Sequence, residues 1–493
     1  MIELGDERTC TRGKMMDRPC VVLLRPGFES TIPESFRQVN PPIGLGYIAS
    51  CLEDAGFTAY IVDLSLRDVP LDVICAFLER KQPVLVGISA LTAYYTGMKT
   101  ISLYIKDRLP RMRVVLGGVH ASSLPSECLV ECRADFIVRG EGEGTMVELA
   151  KEMLKSDPDP SKIDGLAFLA SGKLVMTQER SLIQDLDTIP FPAWHKIDPN
   201  RYPRIPHGVV LKHKKFASII SSRGCPHDCA YCASCQFWKR KIRYRSPKNV
   251  VDEIQYLHEK FGIREIHFWD DNLTLRRDHV VGICKEIIKR RLNHMAFGTP
   301  NGLRVDTLDE PLLKLMRQAG FYEITFAVES ASTRILRSNG KFTDLKKIMH
   351  NTIIAKRLGF LINSFFMIGF PEDTEETIEK TIRYALSVPF TYSEFFLLKP
   401  LPGSRLFETW SKGKELLNFD WNKLTTYTQM NDFILGNLSP AYLFACQKNA
   451  FRRKIFRFPG IVQTILLSLK HFQISQFKNK LLSFRDFFLK LFL

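Results

Sequence analysis

The sequence predicts an α/β protein: two parallel-sheet domains in series, then a mainly helical C-terminal region. Three observations carry that prediction. Short apolar runs alternate with amphipathic stretches over residues 20–150, and the same alternation returns over residues 206–405. Strands that alternate with helices build parallel sheets covered on both faces. Between these regions, residues 151–205 hold DPDPSK and DTIPFPAWHKIDPNRYPRIP, whose prolines and aspartates read as a connector.

In chain order, residues 1–19 form a polar extension without the apolar run and cleavage site of a secretion signal. CVVLLRP is then a strand, and PIGLGYIASCLEDAG is a helix stopped by Gly56. AYIVDL and VLVGISA are strands, YTGMKTISLYIKDRL is a helix, and RVVLGG and ADFIVRG are the last two strands of this region. Five such strands make a doubly wound sheet of the flavodoxin-like type, which binds ligands at the carboxyl ends of its strands. The second region offers the strands FASIISS, EIHFWDD, AFGTPNG, EITFAVES, INSFFMIG and SEFFLLKP, separated by helices such as NVVDEIQYLHEKF and TEETIEKTIRYALS. Six strand–helix units are too few for a closed eight-fold barrel, so a partial (β/α)6 barrel is expected, again with its chemistry at the carboxyl ends. Residues 406–493 follow as a basic, mainly helical region.

With 493 residues and 45% hydrophobic content, the chain suits a globular protein of roughly three domains. No run of about eighteen apolar residues predicts a membrane-spanning helix, and a cytoplasmic location is expected, where thiols stay reduced. Of the 12 cysteines, Cys10, Cys20, Cys51, Cys75, Cys128, Cys132, Cys284 and Cys446 are scattered and read as small buried hydrophobes. The net charge of +16 suits an anionic partner, whether nucleic acid, lipid or small molecule.

The other cysteines, Cys225, Cys229, Cys232 and Cys235, lie in CPHDCAYCASC directly after the first barrel strand. A structural zinc site takes four ligands, usually in two separated pairs. The spacing Cys-x3-Cys-x2-Cys instead puts three ligands in one tight loop and leaves a fourth corner open. On a 4Fe–4S cluster that open iron is a reaction site. Cys235 could close a zinc site, so spacing alone leaves both metals standing.

CxxxCxxC after the first strand of a partial barrel resembles the radical S-adenosylmethionine (SAM) superfamily. The resemblance implies a 4Fe–4S cluster on Cys225, Cys229 and Cys232, whose open iron is chelated by SAM. SAM is then cleaved to methionine and a 5′-deoxyadenosyl radical. Tyr231 matches the family's aromatic position near the adenine. Asp270 and Asp271, in FWDDN, match the segment that receives the SAM amino group, although a turn or helix cap explains them too. Arg304 stands where a guanidinium could clamp a carboxylate, or where a surface arginine would do nothing. Glu329 and Ser330 resemble the ribose-binding position, and Gly369 the backbone stretch that approaches adenine.

Upstream, VGISALTA, VVLGGVHAS and VRGEGEGT each signal turns alone. In this order they resemble the cobalamin-binding domain that precedes many radical SAM enzymes. The resemblance implies that Ser89 and Thr92 line the nucleotide-tail pocket. It places Gly117, Gly118, His120, Glu141, Gly142 and Glu143 near the corrin edge. The Asp-x-His-x-x-Gly motif of many cobalamin carriers is missing, and the nearest match, Asp278 to Gly282, has the wrong spacing. The expectation is therefore cobalamin with its base displaced and no histidine beneath cobalt.

Together the cofactors imply methyl transfer to an unactivated carbon. The alternative is an oxidative cyclase or rearrangement enzyme, as in chlorophyll synthesis. From about residue 440, Phe and Leu interleave at helical spacing with Arg452, Arg453, Lys454, Arg457 and further cations, and Asp486 is the only acid after Arg452. Such helices either lie on anionic membranes or pack on the barrel with a solvated basic face. The tail resembles members that act on hydrophobic substrates. The implied partners are an apolar small molecule and an electron donor such as flavodoxin or ferredoxin, with no nucleic acid.

Overall fold

The computed structural model describes residues 18–27, 39–67, 69–203, 211–424, 433 and 435–455. These form two compact units. Of the described residues, the first comprises those up to Tyr202 together with Phe407–Asn422, and the second comprises the rest.

The first unit is built on a seven-stranded sheet. Its strands are β1 (Cys20–Arg25), β2 (Thr58–Asp63), β3 (Leu85–Ser89), β4 (Val114–Gly117), β5 (Phe136–Val138), β6 (Leu166–Ala170) and β7 (Lys173–Met176), in the order β2-β1-β3-β4-β5-β6-β7. The five expected strands are all present and parallel. Their order reverses between β1 and β3, the topological switch point at which such sheets take ligands. β1 is buried along nearly its whole length, as a central strand covered on both faces must be. The helix Ile43–Asp54 ends as expected, with Gly56 at φ +91.

The stretch expected as a connector, 151–205, is largely part of this unit. β6 pairs antiparallel with β5, and β7 with β6. Trp194, Ala193 and Ile197 are fully buried beyond the hairpin. Gly46 leaves the space that Ile197 and Pro192 fill, since a Cβ there would lie 2.7 Å from Ile197. Prolines and aspartates thus made turns between buried anchors, not a free linker.

The second unit carries β8 (Phe216–Ile219), β9 (Ser222–Arg223), β10 (Arg243–Tyr244), β11 (Glu265–Phe268), β12 (Ala296–Leu303), β13 (Phe321–Glu329), β14 (Leu361–Ile368) and β15 (Glu394–Leu397). β9 and β10 form a small antiparallel pair, and the other six make an open sheet in the order β15-β14-β13-β12-β11-β8. All its pairings are parallel, so the partial barrel is as expected. The helix Pro440–Ile455 covers the edge strand: Gln447 donates to the Phe395 carbonyl at 2.6 Å, and Arg453 pairs with Glu379 at 2.6 Å. For this part of the tail the packed reading holds. Residues 456–493, expected to lie on a membrane or on the barrel, fall outside the described residues. Among the described residues no helix is long and apolar enough to cross a membrane.

Candidate functional site

The cysteine loop leaves the carboxyl end of β8, and three distant segments hold it. From the exit of β11, Asp271 accepts hydrogen bonds from Gly224 N at 3.1 Å and Ser234 Oγ at 2.7 Å. From the end of the helix Thr333–Ser338, which follows β13, the Asn339 carbonyl accepts from Ala230 N at 2.9 Å. From the segment after β15, Leu406 N donates to the Ala230 carbonyl at 2.8 Å, and Arg405 donates to the Asp228 carbonyl at 2.9 Å. Two glycines allow these approaches. A Cβ on Gly224 would fall 2.0 Å from the Lys241 carbonyl, and one on Gly340 would fall 2.1 Å from that of Asp228.

Cys225, Cys229 and Cys232 are half-buried in this loop, whereas Cys235 is buried. Burial pushes the Cys225 thiol up to about 11. Burial also raises Cys229, against the pull of the nearby Lys341 ammonium. Cys232 and Cys235 share a hydrogen bond, which holds the proton on Cys232 and lets Cys235 ionise first. Among the described residues no three His, Cys, Asp or Glu side chains converge as a ready-made metal site. The donor chemistry nonetheless fits iron and sulfide: three thiols on one loop, desolvated and neutral until a cation replaces their protons.

The expected SAM residues divide into two groups. Asp270, Ser330 and Asp271 are already engaged. Asp270 is buried and accepts from Ser221 N at 3.2 Å, from Ser221 Oγ at 2.7 Å and from Ser222 Oγ. Burial lifts its carboxyl to about 6 despite those donors. Ser330 Oγ accepts from Ser332 N at 3.1 Å and turns the chain into the next helix. These side chains brace the strand exits. His279, which sequence reading dismissed as a false motif, joins the brace through Ser221 Oγ at 2.9 Å.

Tyr231, Arg304, Glu329 and Gly369 form the second group, at the strand exits. Tyr231 packs edge-on to Phe370, with ring centroids 5.8 Å apart. Arg304 donates to the Phe342 carbonyl and pairs with Asp306 at 3.0 Å, so it is no free surface arginine. Glu329 ends β13 at φ +68 and pairs with Lys341 at 2.9 Å. Gly369 turns at φ +98 and donates to Asp373 at 2.9 Å, with Leu443 filling the space beside it. Sequence reading missed Lys341 and Asp373. Lys341 belongs to no motif, and only the fold brings it to Glu329, whereas Asp373 lies within MIGFPEDTEET itself, four residues after Gly369.

At the carboxyl edge of the first sheet, Ser89 ends β3 and Gly117 ends β4. Gly118 sits at φ +97 against the Ala90 carbonyl, where a Cβ would come within 2.5 Å. The neighbouring polar side chains turn inward. His120 is 1% exposed, with Nδ1 3.1 Å from Thr92 Oγ1 and its ring between Tyr95 and Trp421. Burial pushes the imidazole down to about 3, so it is neutral. Glu141 accepts from Ile183 N at 2.9 Å, Glu143 opens the buried first turn of Glu143–Glu152, and Gly142 packs against Ile48. The side chains of His120 and Glu141 are thus held by partners outside their own motifs.

The packing on His120 comes from the segment Phe407–Asn422. Trp421 is 1% exposed and meets His120 edge-on at 4.7 Å. Glu131 accepts from Asn418 N at 2.7 Å, from Tyr95 OH at 2.9 Å and from Lys99 at 2.7 Å. Thr96 Oγ1 donates to Asn422 at 3.1 Å. At the ends of β1 and β2, Arg25 pairs with Asp63 at 2.8 Å, and Tyr202 OH donates to the same carboxylate at 2.8 Å. Apart from His120, none of these residues was singled out from sequence.

Comparison with known proteins agrees with this layout. Residues 30–150 match the B12 binding domain model, and residues 219–385 match the radical SAM superfamily. An uncharacterized methyltransferase of Pyrococcus horikoshii is 32% identical over 82% of this chain and 86% of its own. The anaerobic magnesium-protoporphyrin IX monomethyl ester cyclase of Rubrivivax gelatinosus is 31% identical over 77% of this chain and 68% of its own. The solved radical SAM methyltransferase TsrM of Kitasatospora setae, with cobalamin and a [4Fe–4S] cluster bound, shares the fold. Its TM-score is 0.66 at 19% identity, over 81% of this chain and 76% of that one.

Proposed function

We propose methyl transfer to carbon for this chain, which belongs to the radical SAM enzymes that carry an N-terminal B12-binding domain. The observation that carries the proposal is one chain holding two such edges. A braced three-thiol loop leaves β8, and a glycine-lined switch-point edge stands on the doubly wound sheet. Bound together, the cluster and SAM supply an organic radical, and cobalamin supplies a methyl group.

The chain's own residues bind and orient. Cys225, Cys229 and Cys232 would hold three irons and leave the fourth open to SAM. Asp271, Asn339 and Arg405 keep that loop from spreading. Tyr231, Arg304, Glu329 and Gly369 line the exits where SAM would lie. In this reading Asp270 and Ser330 support the site from behind. Ser89, Thr92, Gly117 and Gly118 would face the corrinoid. His120 stays neutral and inward, in keeping with cobalt that has no protein histidine beneath it.

The substrate we infer is apolar. Phe342 supports this: it stands 63% exposed beside the Arg304 and Lys341 anchors, on the turn after the helix Thr333–Ser338. A porphyrin-cyclising relative supports it too. The proposal extends to a small electron-transfer protein as donor, and to contact of residues 456–493 with an anionic membrane surface, which rests on their composition alone.

Anaerobic turnover tests the reaction. Methyl transfer should consume two SAM molecules per product, yielding S-adenosylhomocysteine and 5′-deoxyadenosine in a ratio near one. Labelled methyl from SAM should end on a substrate carbon. Should 5′-deoxyadenosine form alone and no label enter the product, the cyclase reading replaces this one.

A further inference from the structure

Lys341 is among the most deeply buried lysines of the chain, 4% exposed, and its ammonium lies 2.9 Å from Glu329 Oε1. Two facts make this pair unusual. Glu329 holds φ +68, a conformation disfavoured for any side chain but glycine's. It also follows a register shift in the β13–β14 pairing, between Ala327 and Glu329, so the strand end is bent where the glutamate leaves it. A buried ion pair is weak evidence of stability, because the cost of stripping water from both charges offsets their attraction. Backbone strain, in turn, persists where the surroundings over-determine it, and it gathers at ligand sites.

The surroundings here are explicit. The turn that carries Lys341 is fastened on both sides of it. Asn339 and Gly340 press on the cysteine loop at Ala230 and Asp228, and the Phe342 carbonyl accepts from Arg304. The lysine therefore has little freedom to follow a moving glutamate. It fixes where the glutamate can be.

We propose that Lys341 is a positioning residue of the SAM site, which fixes Glu329 Oε1 and aims the remaining carboxylate oxygen at the ribose hydroxyls of SAM. The proposal rests on the SAM reading above and adds a residue to it. A carboxylate left alone at this depth is free to swing to another donor. Paired with a fixed ammonium, it offers one oxygen in one direction. Charge-assisted hydrogen bonds from hydroxyls reward that geometry.

The test uses the full chain, anaerobically reconstituted, with iron content and SAM affinity measured separately. Lys341→Met should keep its iron and weaken SAM binding about tenfold or more. Lys341→Arg, which keeps the charge, should stay within about threefold of the parent. Adding Glu329→Gln to Lys341→Met should cost little more, because both changes remove one coupled pair. Should Lys341→Met not fold, Glu329→Gln alone carries the test and should weaken SAM about tenfold with iron retained. The proposal falls if Lys341→Met binds SAM within twofold of the parent. It falls equally if iron is lost in step with SAM, since the lysine would then be bracing the cysteine loop. A parent protein that holds iron but no SAM would instead sink the SAM reading itself.

Discussion

The carboxyl edges of the two sheets are secured by opposite means. At the barrel edge, polar bonds pin a short motif loop: Asp271, Asn339 and Arg405 each reach its backbone or side chains. At the N-terminal edge, apolar contact does the work. Trp421 closes over His120 and Tyr95, and a single carboxylate, Glu131, gathers the polar ends. The first arrangement fixes the shape of a loop that carries three half-buried thiols. The second closes a surface by packing around His120.

The largest expected effect separates the thiols. Cys225→Ala, Cys229→Ala or Cys232→Ala should each abolish iron binding in the reconstituted protein, as read by iron and sulfide content. Cys235→Ala should leave it largely intact, because this thiol only hydrogen-bonds its neighbour. Stoichiometric zinc that depends on Cys235 would break the contrast between a metal-binding loop and a packed edge.

Next in size is the seal. Trp421→Ala should destabilise the first unit by about 3–5 kcal/mol, the usual cost of removing a buried tryptophan. It should also weaken cobalamin retention while iron content stays at the parent level. Urea denaturation, followed with cobalamin and iron assays on the same samples, checks both halves. Iron lost before cobalamin would reverse the assignment. By the same argument, residues 20–150 expressed alone should bind cobalamin poorly, since they lack Trp421, Asn418 and the β6–β7 hairpin.

The smallest effect is the sharpest test, because the two edges should answer acid with opposite signs. Asp270 is raised from 3.8 to about 6 by burial. Its contribution is complete below its ordinary value and is lost as pH rises through about 6, so acidification stabilises the barrel unit. His120 is lowered from 6.5 to about 3. The unfolded chain takes up the proton first, so acidification below about 6.5 destabilises the first unit. Between pH 7.5 and 5 each effect should amount to roughly 1–2 kcal/mol. Variants whose only tryptophan is Trp269 or Trp421 can report the two units separately. Asp270→Asn and His120→Gln should each flatten their own profile alone.

Much of the fold was legible because its signals are local. Eleven strands were expected, and all are present. A strand such as CVVLLR announces burial by composition, and Gly56 ends a helix by its backbone freedom. The cysteine loop was legible for the same reason, since three cysteines within eight residues need no tertiary information to be noticed. Asp270 and Asp271 were found by their segment, but their partners Ser221, Ser222, Gly224 and Ser234 were not, because a motif does not record the direction of each carboxylate.

What sequence alone determined here is the order of the two sheets, the strands in each and the thiols between them. Each follows from hydrophobic periodicity or backbone preference over a few residues. Only the tertiary structure decided that a proline-rich stretch would extend the first sheet, that Lys341 would meet Glu329, and that Trp421 would cover His120. Contacts of this kind span long stretches of chain, 287 residues between Glu131 and Asn418 and 326 between Thr96 and Asn422. Closing a longer loop costs only slowly more entropy, so burial and hydrogen-bond satisfaction choose the partner, and no short window of sequence records that choice.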